Sequence, residues 1–243
     1  MICVIPARYG STRFKGKPLA DICGKSMIQR TYEQVKKSKL IDAVYIATDD
    51  DRIKDNAESF GAKVIMTSKE HVCGTDRIAE SIQHIKCNKD DVIVNVQGDE
   101  PLIDPQALDT VIKPFLKDRR LNMGCLIAKI KDLSEYEDPN IVKVVKDKDN
   151  FALYCSRSLI PYSKEGDLTN VYKQFGVYVY RKDFLIKFSK MEPTHYEKIE
   201  KLEQLRALEN GFKMKVVETY YDSVSVDVPE DLEKVINIIE RKQ

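Results

Sequence analysis

The stretch "VIPARYGSTRFKGKPLA", residues 4–20, passes from a short apolar run into a loop that carries Arg8, Arg13, Lys15 and Lys17 beside two glycines. A buried strand that opens directly into a flexible cationic loop is typical of anion binding. Glycines let the backbone approach a ligand closely, and the cations neutralise its charge. We therefore predict that this loop binds an anion at the end of the first strand.

The first half of the chain alternates between strand-like and helix-like segments. Such alternation with short connections predicts parallel βαβ units in a doubly wound α/β sheet. Ligands bind these sheets beyond the carboxyl ends of the strands, where this chain carries "PARYGSTR", "ATDDDR" and "NVQGDEP". The predicted strands are residues 2–5, 43–47, 63–66 and 92–96, and the predicted helices are residues 27–37, 51–60 and 76–85.

The second half departs from this alternation, and we expect it to give a mixed sheet with an inserted β-rich portion for substrate recognition and dimer contact. No internal repeat or Pro/Gly-rich linker divides the chain, which favours one domain with a subdomain. A helix at 196–210 is expected to bury Ile199, Leu202, Leu205 and Leu208 along one stripe. The other predicted elements are strands at 123–130, 141–145, 151–155, 175–180 and 214–218 and a helix at 230–241.

The composition excludes several classes of protein. Lys+Arg 40 against Asp+Glu 39 gives a formal net charge of +1, whereas nucleic-acid binders usually carry a basic excess, so we expect no nucleic-acid partner. No apolar run approaches the roughly 20 residues that span a bilayer, so we expect no membrane partner. The 6 cysteines show no metal-ligand spacing, and without a signal peptide they predict reduced thiols in a cytoplasmic protein.

The spacing of the opening loop excludes two common phosphate-binding motifs. A P-loop needs four residues between its glycines and a hydroxyl after the lysine, but this chain has five residues between Gly10 and Gly16, and Pro18 follows Lys17. The glycine fingerprint of dinucleotide-binding sheets is absent as well. A loop of two hydroxyls and four cations suits a triphosphate, while a solvated basic turn is the simpler alternative.

Two carboxylates are candidate metal ligands. Asp99 follows a buried strand in "VIVNVQGDEP", and Asp227 ends a short strand in "VSVDVPEDL". Mg²⁺ in phosphoryl and nucleotidyl transfer is typically held by one or two carboxylates together with substrate phosphates. Ordinary turn residues are the alternative for both segments, because Gly, Asp and Pro all favour turns.

The segment "HVCGTDRIAESI", residues 71–82, predicts the start of a helix at which Thr75 or Asp76 serves as the cap. Arg77 then lies within reach of a ligand at the helix start. None of the three histidines stands beside a Ser or Cys nucleophile in a known motif, so the sequence gives no support to triad chemistry.

Taken in this order, the motifs resemble one family, the CMP-Kdo synthetases (3-deoxy-manno-octulosonate cytidylyltransferases; Kdo is the sugar acid). The resemblance spans residues 5–235 and implies a Rossmann-like α/β fold of the nucleotide-diphospho-sugar transferase type, with helices on both faces of a mixed sheet. It also implies a homodimer and Mg²⁺-dependent transfer of CMP from CTP to a 3-deoxy sugar acid for lipopolysaccharide or capsule. The segments that carry it are "IPARYGSTRFKGKPLADICGKSMI", "ATDDDRI", "CGTDRIAE", "VNVQGDEPLI", "ALYCSRSLIPY", "GVYVYR", "KLEQLRALENG" and "VDVPEDLEKV".

The resemblance assigns roles position by position. Within one domain of residues 1–243, it implies a CTP-binding part at about 1–120, a sugar-binding and dimerisation part at about 121–220 and a returning segment at 221–243. Lys17, Arg13, Asp99 and Asp227 are the implied catalytic residues, the two aspartates also being the metal ligands. The implied CTP contacts are Arg8, Ser11, Arg13, Lys17, Thr75, Asp76, Arg77 and Gln97, and the implied sugar contacts are Arg157, Gln174, Glu203 and Gln204.

The sequence departs from the family pattern at two of these segments. Gln174 stands where the family commonly has His beside the sugar, and Gln forms hydrogen bonds but cannot carry a positive charge. This leaves open whether Kdo or its 8-amino analogue is preferred. Val228 stands where a Thr usually precedes the proline, which removes a helix cap worth about 1 kcal/mol.

Three alternatives remain open at this stage. A related cytidylyltransferase would act on a nonulosonate such as sialic acid, and a sugar-1-phosphate nucleotidyltransferase would share the fold. A regulatory module would hold CTP without turning it over. The pair Asp99 and Asp227 argues against the last of these, because a module that only binds has no need of two metal carboxylates.

Overall fold

The computed structural model describes residues 1–10, 14–71 and 73–241. Within these residues, nine strands form one sheet, in which β8 and β9 branch from the path β11-β7-β10-β6-β1-β4-β5, and β2 and β3 form a separate hairpin. The strands are β1 (Ile2–Ala7), β2 (Asp21–Ile22), β3 (Lys25–Ser26), β4 (Ala43–Thr48), β5 (Lys63–Met66), β6 (Val92–Val96), β7 (Met123–Lys129), β8 (Lys143–Lys146), β9 (Ala152–Ser156), β10 (Tyr172–Arg181) and β11 (Met214–Glu218).

The strand directions confirm the predicted mixed sheet. β1 runs parallel to both β4 and β6, and β5 runs parallel to β4, as the alternation of the first half requires. β10 then lies antiparallel between β6 and β7, and β11 runs parallel to β7 on the far side. The carboxyl ends of β1, β4 and β6 therefore meet at one edge, where a ligand is expected to bind.

Helices cover both faces of the sheet. The helices are α1 (Met27–Val35), α2 (Asp51–Ser59), α3 (Gly74–Ser81), α4 (Pro105–Lys117), α5 (Leu133–Glu137), α6 (Lys182–Ser189), α7 (His195–Glu200), α8 (Gln204–Glu209) and α9 (Pro229–Glu240). Cys3 and Ile5 of β1 belong to the same core cluster as residues of α1, α2 and α4, whereas Val4 between them belongs to the cluster that contains residues of α3, α6 and α8. This is the two-residue period of a strand buried on both sides.

The prediction of one continuous helix at 196–210 is wrong. Lys201 adopts the left-handed conformation, with φ 55°, and the chain divides there into α7 and α8. Leu202, Leu205 and Leu208 still pack into the core, but Ile199, on the other side of the break, is 64% exposed.

The segment after β11 returns to the end of β6. The backbone N–H of Val226 donates to the carbonyl of Asp99 at 3.0 Å. Val226 also packs with Val235 of α9 against Ile22 and Met27, which lie near the start of the chain. This packing brings Asp227 to the sheet edge that Asp99 occupies. None of the described helices combines the length and the apolar character that crossing a membrane requires.

Candidate functional site

Two adjoining cavities open at the carboxyl ends of β1 and β6. The first cavity has a volume of about 280 Å³ and includes Lys17, His71 and Arg77 in its lining. The second cavity has a volume of about 480 Å³ and includes Arg157 and Gln174. Six residues line both cavities and so form the place where they meet: Arg8, Gly74, Gln97, Asp99, Glu203 and Asp227.

Lys17 lines the first cavity and reaches two of these junction residues, Asp99 and Asp227. Its Nζ donates to Asp99 Oδ2 at 2.6 Å and to the carbonyl of Val226 at 2.8 Å, and it lies 3.6 Å from Asp227 Oδ1. The lysine reaches this point because Gly16, at φ 73°, turns the loop into a short 3₁₀ segment that begins at Lys17. One ammonium group thus faces two carboxylates that lie far apart in the sequence.

The donor set suits a hard divalent cation that completes its coordination with substrate oxygens. In residues 1–10, 14–71 and 73–241, no group of three or more His, Cys, Asp or Glu side chains could hold a metal ion by itself. Asp99 and Asp227 supply two carboxylates at one point, and Mg²⁺ typically takes one or two carboxylates plus phosphate oxygens and waters. The residues present therefore fit Mg²⁺ bound together with a phosphorylated ligand.

Cationic and amide groups line the first cavity, and among them are three of the predicted CTP contacts besides Lys17. Arg8, at the end of β1, is exposed at the junction, and Gln97 follows β6 there. Arg77 is buried in the wall, where its guanidinium donates to Thr67 Oγ1 and, at 3.0 Å, to Asp49 Oδ2. The partner Asp49 comes from the "ATDDDR" stretch, so this strand end supports Arg77.

Two other predicted CTP contacts, Thr75 and Asp76, do not line the first cavity. Thr75 lines the second cavity and donates its hydroxyl proton to Glu203 Oε2 at 2.5 Å. Asp76 instead lines a third cavity, of about 490 Å³, with Ser189 among its walls. The predictions for Ser11 and Arg13 fall outside the described residues, so their roles stay predictions.

Arg157 is anchored at the second cavity. Its Nε donates to the carbonyl of Glu200 at 3.0 Å, and its Nη1 donates to the carbonyl of Pro139 at 2.9 Å. The Glu200 carboxylate accepts from the backbone N–H of Arg157 at 2.9 Å and from Ser156 Oγ at 2.6 Å. Glu200 was missed from the sequence, because a Glu on a helix facing a distant strand end leaves no local signal.

Three uncharged side chains form a closed set of hydrogen bonds in the wall of the second cavity. Gln174 Nε2 donates to the hydroxyl of Tyr178 at 2.5 Å, and that hydroxyl donates to Gln204 Oε1 at 3.3 Å. Gln204 Nε2 donates to Gln174 Oε1 at 3.0 Å and completes the cycle. We call Gln174, Tyr178 and Gln204 the amide–tyrosine ring. Tyr178 was missed from the sequence, although both glutamines were predicted.

Two carboxyl groups at the cavities have raised pKa values. Burial raises the pKa of Glu203 above its ordinary value, against the hydrogen bond from Thr75. Burial and the neighbouring negative charge of Asp99 raise the pKa of Glu100 to about 8, although Ser223 Oγ donates to it at 2.9 Å. Glu100 was also missed, because within "GDEP" the sequence gives no sign of which acid turns inward.

Comparisons with known proteins agree with this geometry. A family model described as cytidylyltransferase matches residues 2–218. The 3-deoxy-manno-octulosonate cytidylyltransferase of Geotalea uraniireducens (strain Rf4) is 49% identical over 249 residues, covering 98% of each chain. The 8-amino-3,8-dideoxy-manno-octulosonate cytidylyltransferase of Shewanella frigidimarina (strain NCIMB 400) is 50% identical over 232 residues, covering 95% of each.

A solved structure of similar shape carries a bound nucleotide. It is that of CMP:2-keto-3-deoxy-manno-octonic acid synthetase complexed with CTP, with a TM-score of 0.93 and 38% sequence identity, and the match covers 100% of this chain and 99% of that one. The sheet order, the full-length identity and the family model all point the same way. The chain therefore belongs to the cytidylyltransferases, a family of nucleotidyltransferase enzymes, and within it to the 3-deoxy-manno-octulosonate group.

Proposed function

We propose that this enzyme transfers CMP from CTP to a 3-deoxy-octulosonate, either Kdo or its 8-amino analogue, and releases pyrophosphate. The CMP-sugar would serve lipopolysaccharide or capsule synthesis. The observation that carries the proposal is the junction of two cavities at Lys17, Asp99 and Asp227. A transfer between two substrates needs both at one point, and the names of the relatives supply the two substrates.

The reaction at this junction is an in-line displacement. The anomeric 2-hydroxyl of the sugar acid would attack the α-phosphorus of CTP from the second cavity and lose its proton to solvent, so that a new P–O bond forms and the bond from the α-phosphorus to the bridging β-phosphate oxygen breaks. Negative charge then moves onto the departing pyrophosphate. Lys17 and Arg8, with the predicted contacts Ser11 and Arg13, would neutralise that charge, and preorganised contacts of this kind contribute about 3–4 kcal/mol each in other enzymes.

We further propose that Asp99 and Asp227 hold Mg²⁺ during turnover. When bound there, the ion would withdraw charge from the phosphate and lower the pKa of the attacking hydroxyl. Lys17 Nζ would keep the two carboxylates close together before the substrates bind, since it contacts Asp99 and lies near Asp227. No histidine needs to act as a general base in this scheme.

The homodimer is also part of the proposal. β9 is an edge strand, pairing within the described residues with β8 alone, and exposed edges are usually covered. Large apolar side chains are exposed on β9, on the loop after it and on α7, namely Leu153, Leu159, Tyr162, Tyr196 and Ile199. We expect light scattering to give twice the mass of 27.9 kDa for the wild type and a lower mass for Leu153→Asp; a monomeric wild type would contradict this.

The division into parts at about 1–120, 121–220 and 221–243, and a cytoplasmic location, remain proposals.

Pyrophosphate release tests the reaction. CTP and Mg²⁺ are supplied with Kdo, its 8-amino analogue, a nonulosonate or a sugar 1-phosphate in parallel. Release with Kdo or the 8-amino analogue, and not with the other two, supports the proposal and names the preferred sugar. Release only with the nonulosonate or only with the sugar 1-phosphate would contradict the proposal and support the corresponding alternative enzyme. CTP binding without pyrophosphate release with any of the four acceptors would indicate a regulatory module.

A further inference from the structure

β10 carries an irregularity at the second cavity. Gln174 pairs with Ile127 of β7, yet Tyr178 pairs with Cys125, so four steps along β10 match two steps along β7. In a regular strand two residues four apart are separated by about 13 Å, at about 3.3 Å per residue. The bulge shortens that separation and lets the two side chains meet, as bulges beside functional sites often do.

Gly176 lies between Gln174 and Tyr178 in the chain, and its lack of a side chain allows β10 to bend here without a steric clash. A Cβ at this position would lie 2.9 Å from Gln97 Cγ and 3.2 Å from Glu100 Oε1. The backbone N–H of Gln97 also donates to the carbonyl of Gly176 at 3.1 Å. The bend that brings Tyr178 to Gln174 is thus fastened to the end of β6, one of the strands whose end forms the junction.

The hydroxyl of Tyr178 couples the two amides. A hydroxyl donates one hydrogen bond, so when Tyr178 accepts from Gln174 it donates to Gln204, and the direct bond from Gln204 to Gln174 closes the cycle in the same sense. Either amide can turn over only if the other does too. Burial raises the pKa of Tyr178 well above its ordinary value, which keeps the hydroxyl protonated and the ring uncharged.

We propose that Tyr178 is a positioning residue, which holds the amides of Gln174 and Gln204 in one coupled orientation so that they recognise hydroxyl groups of the sugar acid. In this orientation each amide keeps one N–H and one carbonyl lone pair outside the ring. A hydroxyl group both donates and accepts, and so matches such an amide fully. A carboxylate only accepts and an ammonium only donates. This inference rests on the proposed function, because it concerns the sugar acid that the second cavity would bind.

The variant Tyr178→Phe tests the inference, because it removes only the hydroxyl oxygen. The aromatic side chain, whose centroid lies 6.1 Å from that of the stacked Tyr180, is kept. We expect the KM for the sugar acid to rise about tenfold, the cost of losing one or two neutral hydrogen bonds. The KM for CTP and kcat should stay within about twofold, since neither amide faces the nucleotide. The matched control is Tyr172→Phe, a buried tyrosine of the same strand that lines neither cavity, which should leave all three constants unchanged.

The same substitution made in a protein that already lacks Gln204 distinguishes a positioning role of Tyr178 from a direct contact with the sugar acid. If Tyr178 acts through the glutamines, adding Tyr178→Phe to Gln204→Ala should raise the KM for the sugar acid by less than about threefold, because the coupled partner is already gone. An equal rise in both backgrounds, an unchanged KM in the single variant, or a parallel rise in the KM for CTP would each overturn the inference. A wild type that releases no pyrophosphate with any sugar acid would instead overturn the proposed function, and this inference with it.

Discussion

Under the proposed function, the two cavities that meet at the junction would recognise their substrates by different physical means. At Lys17 the structure brings full charges together, with one ammonium 2.6 Å from Asp99 and 3.6 Å from Asp227. At the amide–tyrosine ring it brings together only neutral dipoles. Coulomb forces act over long distances in any direction, whereas neutral hydrogen bonds require short distances and correct angles. Under the proposed function, charge is therefore concentrated where charge would move in the reaction, and directional hydrogen bonds are provided where the sugar would be selected.

The largest effect should come from removing charge at the first of these cavities. Asp99→Asn or Asp227→Asn keeps the size of the side chain and removes the charge that faces Lys17 and would hold Mg²⁺. We expect pyrophosphate release to fall by about a thousandfold or more while the fold persists. Asp183→Asn, on the exposed side of α6, is the matched control. Near-normal release from either active-site variant would disprove the metal assignment.

The next effect should come from the bend of β10. Gly176→Ala places a methyl group 2.9 Å from Gln97 Cγ, and overpacking of this kind costs about 1–3 kcal/mol in free energy of unfolding. Urea denaturation measures the loss. Gly10→Ala is the control, because its added methyl group meets nothing within 4 Å. Equal stability of the two variants would show that the bend tolerates a side chain.

A smaller effect should follow when Arg157 loses its planar guanidinium. In Arg157→Lys the positive charge stays, but one ammonium cannot bond the carbonyls of Glu200 and Pro139 and still face the second cavity. We expect the KM for the sugar acid to rise about fivefold, with the KM for CTP unchanged. If both constants rose together, Arg157 would support the whole junction rather than the sugar side.

The smallest effect concerns pH. Because burial raises the pKa of Glu203, the folded protein keeps this proton at a pH where the unfolded chain has already lost it. Stability therefore decreases as the pH rises from the unfolded value near 4.5 through the folded one, and Glu203→Gln removes that decrease. We expect the melting temperature of the variant, relative to that of the wild type, to rise by about 2 °C between pH 5 and pH 8. A constant difference between the two melting temperatures over this range would contradict the raised pKa of Glu203.

The sequence predicted the parallel part of the fold well, because its strands are short, largely apolar runs that alternate with helix-like segments. The strands at Lys63–Met66, Val92–Val96 and Met214–Glu218 were predicted to the residue. α4 was missed, although Asp104 caps it by accepting from the N–H groups of Gln106 and Ala107 and a proline follows at the first position. A search for caps rather than apolar spacing would have found it.

The sequence was less informative about the site. Asp99 and Asp227 were predicted from their turn motifs and from the family resemblance, and the structure brings them to one ammonium group. Tyr178 and Glu200 were missed because their roles depend on partners 26 and 43 residues away. No local pattern encodes such a contact. The break at Lys201 was missed for a similar reason, since Lys is not a usual residue in the left-handed region.

The hydrogen bond from Val226 to the carbonyl of Asp99 has a consequence for how the protein is made. Lys17 and Val226 are in contact although 209 positions separate them in the chain. Every strand of the sheet precedes the segment at 219–228 in the chain, so during synthesis the second carboxylate of the junction is made after all of them. A growing chain therefore holds every strand of its sheet while it still lacks Asp227, the residue that the proposed reaction needs.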